Sequence, residues 1–178
     1  MSYRTSTIGE VAGEIAAKIN AARGARDGGS FLSPGDVSDL RRMDLAVPSG
    51  AFWRLMVACV PERYRSGDEA ERRWALVCQG MAWMAPHAHD ASTSPGQALA
   101  STGFSSEDRP IRINRLLRAE GDAFEGLFLS ACRFLASKAQ PIDWRSMSFL
   151  ALRQGDTERK QLARDFYSPK KAAVPAAI

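Results

Sequence analysis

The chain reads as an all-α protein, a compact bundle of about eight or nine helices in two packed sub-bundles. Three observations predict it. Apolar residues recur at spacings of three and four through most of the sequence, which is the period of a helix face. No segment alternates apolar and polar residues long enough to make a strand. The breaks between periodic stretches carry the Ser, Asp, Pro and Gly residues that start and stop helices.

From about Thr7 to Arg23, Ile8, Val11, Ile15 and Ile19 form one stripe, and GARDGGSFLSPGD breaks it. A short helix is expected near Asp36 to Met43. Pro48 stands near the start of the next, which sets Phe52, Leu55, Met56, Cys59 and Val60 on one side. Pro61 ends that helix, because proline has no N–H to continue the ladder. Asp68 to Met84 is the longest core-facing helix, with Trp74, Val77, Met81 and Met84 in register. Its first-turn acids, Asp68, Glu69 and Glu71, suit the positive end of a helix dipole.

APHAHDASTSPG is then the main internal loop and the expected seam between the sub-bundles. Ser94 and Pro95 open a short helix through Leu99, and an arginine-rich segment follows. Asp122 to Lys138 places Phe124, Leu127, Phe128, Ala131 and Leu135 on one face. In DWRSMSFLALRQ, Asp143 suits an N-cap and Gly155 a stop, and Asp156 to Tyr167 makes the last helix. The tail SPKKAAVPAAI is small-sided and broken by proline, so disorder is expected there. The organisation is thus an N-terminal helix and linker (1–34), a first sub-bundle (35–90), a second (91–167) and a tail (168–178).

A chain of 178 residues, 45% hydrophobic and 25% charged, is ordinary for a soluble globular protein. No apolar run approaches the roughly 20 residues that would span a bilayer, and the first residues lack an uninterrupted signal-like core. The expectation is a cytoplasmic protein without a membrane partner. Cys59, Cys78 and Cys132 are far apart and each sits among apolar residues, as small core side chains do. Charge is unevenly placed. Residues 1 to 104 hold 11 Lys and Arg against 11 Asp and Glu, while residues 105 to 178 hold 13 against 9, so the whole excess of +4 lies in the C-terminal part. A polyanionic partner is expected to favour that part.

The segment SEDRPIRINRLLRAEGD concentrates this charge. Pro110 must fall in the first turn, with Asp108 as its cap. At about 100° per residue, Ile113, Leu116 and Leu117 cluster on one face, and Arg112, Arg115 and Arg118 fan over roughly 120° on nearly the opposite side. Arg109 precedes the regular helix. A solvated face is the ordinary meaning of such a row, but such faces mix Lys with Glu in opposite-charge pairs. Here no acid stands between Asp108 and Glu120. Arginine at each position also favours planar, bidentate binding of phosphate or carboxylate. The row is expected to face a polyanion and to hold its backbone, since it shows no base-reading arrangement.

Three stretches resemble the small, CasB-type subunit of the type I-E CRISPR surveillance complex, Cascade. They are GDVSDLRRMDLAVPSGAFWRLM, IRINRLLRAEGD and PIDWRSMSFLAL with ERKQLARDFY, and they run from about Gly35 to Tyr167. The resemblance implies a non-catalytic helical protein needing no cofactor, present in more than one copy, head to tail, in antiviral defence. Its implied partners are the guide RNA, the target or displaced DNA strand, and the backbone and large subunits. Sequence recognition is then left to base pairing.

Arg112, Arg115 and Arg118 are the first candidates for nucleic-acid contact, followed by Arg109. Arg41 and Arg42 match the Leu-Arg-Arg of the resemblance, and as neighbours they point about 100° apart. Arg159, Lys160 and Arg164 extend the track, unless they serve as helix-end charges paired with Glu158 or Asp165. Trp144, Trp53, Trp74 and Trp83 are expected in packing. HAHD invites a metal, but His87 and His89 are the only histidines and no third ligand is signalled, so no metal site is expected. No nucleophile elbow, P-loop or Cys/His pairing is present to make an enzyme. Two other classes compete: a helical transcription regulator, for which ASTGFSSEDRP is long as a helix-turn-helix turn, and a structural adaptor whose arginines meet acidic proteins.

Overall fold

Five helices begin on a side chain that accepts from a free N–H of the first turn: Thr7, Ser33, Ser49, Ser94 and Asp143. Thr7 with Glu10 and Ser33 with Asp36 close reciprocal capping boxes. Partial burial works to raise the Asp36 carboxyl, yet the Ser33 N–H and hydroxyl and the Arg54 guanidinium outweigh it and hold it below the usual carboxylate range.

The computed structural model describes residues 6–22, 30–102 and 108–168, the side chains of 108 and 109 excepted. These residues form α1 (Ile8–Ala21), α2 (Pro34–Arg42), α3 (Gly50–Cys59), α4 (Glu62–Arg65), α5 (Asp68–Met84), α6 (Pro95–Ser101), α7 (Asp108–Arg118), α8 (Gly121–Ser137), α9 (Trp144–Arg153) and α10 (Asp156–Tyr167). The fold is all-α. Among the described residues the one β-type pairing is an isolated parallel bridge between His89 and Ile142. The disorder expected of the tail concerns residues outside the described ones, save Ser168.

The core is built around α5. From Trp74 to Met84 it is buried on nearly every side, as a helix must be when apolar residues surround it. It packs against α8, α9, α2 and α1. Gly80 lets α8 and α9 come close to α5: a Cβ there would stand 2.8 Å from the Trp144 ring and 3.0 Å from Cys132 Sγ. Buried Gln79 donates from Nε2 to the carbonyls of Arg41 (3.1 Å) and Met43 (2.9 Å), which ties the end of α2 to α5. At the other end, Arg72 holds Glu125 of α8 through two bonds of 2.6 and 2.7 Å and reaches Asp122 at 3.0 Å.

Around this axis, α1 lies along α9 and touches α5 and α3, with Val11, Ile15 and Ile19 buried. The close pair α6 and α10 flanks the other side, and a Cβ on Gly96 would meet the Leu162 carbonyl oxygen at 2.5 Å. Cys59, Cys78 and Cys132 are buried free thiols. Burial pushes the Cys59 thiol up to about 12 and raises the other two as well.

Two helix ends differ from the sequence reading. The helix expected to stop at Gly155 stops at Gln154, which takes the left-handed conformation (φ 51°). Gln154 Nε2 donates to the Ala151 carbonyl, and the Gln154 carbonyl accepts from Arg159, so the turn is fixed by bonds instead of by glycine. Gly155 (φ −83°) instead precedes α10 as its N-cap. Likewise Asp108, expected as a cap, is already the first residue of α7.

Candidate nucleic-acid interface

The arginine helix α7 sits on α8 and α10. Ile113 and Leu116 are buried beneath it and Leu117 is half-buried, while Arg112, Arg115 and Arg118 are exposed on the outer side. The 100° step of the helix separates the two faces. Pro110 falls in the first turn, where its missing N–H costs nothing. Apolar Ile111 is also left 60% exposed. The side chain of Arg109 lies outside the described residues.

Arg159 fixes the far end of α7. Its Nη1 donates to the Leu117 carbonyl and its Nη2 to the Ala119 carbonyl at 2.8 Å, while Nε bonds Gln154 at 3.2 Å. The guanidinium also stands 5.7 Å from the Phe124 ring centroid. A cation at these terminal carbonyls satisfies acceptors that have no partner within the helix and meets the negative end of its dipole. The sequence shows only an arginine in the first turn of the last helix, and nothing in its spacing points to carbonyls 40 residues away.

Arg41 has a similar occupation: its Nε donates to the Ala82 carbonyl at 2.6 Å and its Nη2 to that of Ala85 at 3.3 Å, closing the end of α5. Its neighbour Arg42 is exposed and pairs with Asp39 at 3.3 Å. Lys160 and Arg164 are exposed on α10, whereas Glu158 pairs with Arg153 and Asp165 accepts from Gln161. Arg54, Arg72, Arg73 and Arg153 all face carboxylates. Arg115 and Arg118, like Lys160 and Arg164, are exposed and enter no ion pair among the described residues, and on α7 they stand at one-turn spacing.

The aromatic residues divide. Trp144 and Trp74 are fully buried, the latter donating from Nε1 to the Tyr64 carbonyl at 2.8 Å. Trp83 is half-buried under the Arg133 guanidinium, 4.6 Å from its ring centroid. Trp53 packs edge-on against the buried Phe52, ring centroids 5.1 Å apart, and stays 39% exposed beside exposed Val57 because it falls about 100° from Phe52 on α3. HAHD has a structural use that spacing did not suggest. His89 Nδ1 accepts from the Trp144 N–H at 3.1 Å, and the Asp90 N–H donates to the Ile142 carbonyl at 3.0 Å. The loop after α5 is thereby sewn to the start of α9. Among the described residues no group of three or more His, Cys, Asp or Glu is placed to hold a metal ion, and no helix is long and apolar enough to cross a membrane.

Fold and surface together define a small all-helical protein with a row of exposed arginines along α7. The family model described as CRISPR-associated protein Cse2 matches residues 36–167, and the chain belongs to that family, the CasB-type small subunits of type I-E Cascade. It is accordingly a subunit of a CRISPR Cascade complex, whose other subunits and guide RNA are its partners. No curated protein and no solved structure matches the chain.

Proposed function

We propose that the α7 face of this Cascade subunit holds nucleic-acid backbone without regard to sequence and so steadies the R-loop. Its ligand is the displaced DNA strand or the guide and target region, and the protein acts there without catalysing a reaction. The observation that carries this reading is the row itself: exposed guanidinium groups at one-turn spacing, with Arg115 and Arg118 outside every described ion pair. A groove for a single strand needs positive charge along the backbone path. Arg42, Lys160 and Arg164 extend the track, while Arg41 and Arg159 serve the fold that presents it. Copies of the subunit associate head to tail, the two sub-bundles meeting near residue 90, and the complex works in the cytoplasm.

The test is binding of the purified chain to labelled single- and double-stranded DNA of scrambled sequence across a salt series, beside the variant carrying R112E, R115E and R118E. Wild type is expected to bind all sequences with steep salt dependence. The variant should bind more weakly, with a slope shallower by roughly 0.7 per lost contact on single strands. Unchanged binding and slope in the variant would sink the reading. Binding to one sequence only would favour a regulator, and no binding an adaptor to acidic proteins.

A further inference from the structure

A cleft of about 320 Å³ opens where α7 and α8 meet α6 and α10, next to the arginine row. Ile113, Leu116, Leu127 and Ala131 line it together with Phe134 and Phe166, and so do Arg112 and Arg115. The same two arginines therefore belong both to the exposed row and to an apolar recess.

We propose that this cleft receives an unpaired nucleobase of the strand whose phosphates lie on the row, a reading that rests on the backbone-binding function above. Three features select this occupant. The volume is at the low end for small-ligand sites, enough for a planar ring system and too little for a partner helix about 10 Å across. The charged side chains at the cleft are two cations with no carboxylate among the lining residues, which suits a ligand with an apolar face and an anionic tether. A base entering apolar surroundings while its phosphate stays on a guanidinium matches that chemistry, and every base has a face to offer, so sequence tolerance is kept.

The full chain is titrated with labelled oligothymidylate and with an abasic phosphate oligomer of equal length. The base-bearing strand should bind about ten-fold more tightly or better. Filling the cleft with Ala131→Leu, or removing part of its lining with Leu127→Ala, should reduce that advantage to less than about three-fold, with abasic affinity and salt slope unchanged. A strand carrying 5-iodouracil should photocrosslink to residues that line the cleft, Phe134 and Phe166 included, a readout that needs no variant. Equal affinity for both strands, or crosslinks confined to other segments, overturns the cleft. If the abasic strand binds and charge reversal of the row abolishes it while bases add nothing, the row stands and the cleft falls. If neither strand binds, both fall together.

Discussion

Arg159 Nη2 donates to the Ala119 carbonyl at 2.8 Å, and the same guanidinium bonds Leu117 and Gln154. One side chain of α10 thereby fixes the last turn of α7 and the turn between α9 and α10. Arg159→Lys keeps the charge but cannot span three carbonyls with a planar fork. It should destabilise the protein by about 1 to 3 kcal/mol in a denaturant titration. Affinity for single-stranded DNA should fall with it, while the salt slope stays unchanged because no phosphate contact is lost. A shallower slope in Arg159→Lys would show that Arg159 touches the ligand directly.

Close helix approach makes two glycines indispensable and leaves a third replaceable. Gly80→Ala drives a methyl into Trp144, Cys132 and Phe128 at 2.8 to 3.1 Å. Overpacking of this kind costs about 1 to 3 kcal/mol, a drop of roughly 3 to 10 °C in Tm for a chain of this size. Gly96→Ala should cost more, because the clash is with the Leu162 carbonyl and the Phe166 nitrogen, which cannot rotate away. Gly126, inside α8 with nothing within 4 Å of its would-be Cβ, is the contrast: Gly126→Ala should stabilise by about 0.5 to 1 kcal/mol.

Gln154 occupies the left-handed region at φ 51°, where a side chain costs roughly 1 kcal/mol or more that glycine does not incur. Gln154→Gly removes that strain and one 3.3 Å bond to Ala151. The net expectation is a gain of about 0.5 to 1 kcal/mol, read as a Tm higher by roughly 1 to 4 °C. A fall in Tm would mean that the amide bond outweighs the backbone strain.

The buried thiols make the fold sensitive to alkali. Cys59 is held neutral up to about 12 by burial, and Cys78 and Cys132 are raised as well, whereas an unfolded thiol ionises near 8.5. Their contribution to stability is full below the unfolded value and is lost as pH rises from there towards 12. Denaturation midpoints should decline above about pH 9, and less steeply in Cys78→Ala once its own cavity cost is subtracted. Iodoacetamide should label the native protein slowly and the unfolded protein at all three sites.

Helix limits were legible where periodic apolar residues met chemical punctuation: Asp68 to Met84 and Asp156 to Tyr167 form the helices their patterns indicate. The exposed side of α7 was legible for the same reason, since a 100° step separates its arginines from Ile113 and Leu116. Periodicity does not choose long-range partners, so the work of Arg41 and Arg159 on distant carbonyls was hidden, as was the bond from Trp144 to His89. The four-residue α4 is too short to show a period. The packing of Trp53 on Phe52 was legible from residue type, and its partial exposure from its angle of about 100° off the buried stripe.

Helix α1 lies wholly before residue 36, where the family match begins, yet its apolar stripe is buried against α9, α5 and α3. Trimming the chain to the matched span would bare the partners of Val11, Ile15 and Ile19 and leave a greasy, association-prone flank in place of a finished wall. The stretch that marks kinship and the stretch that folds as a unit therefore have different borders.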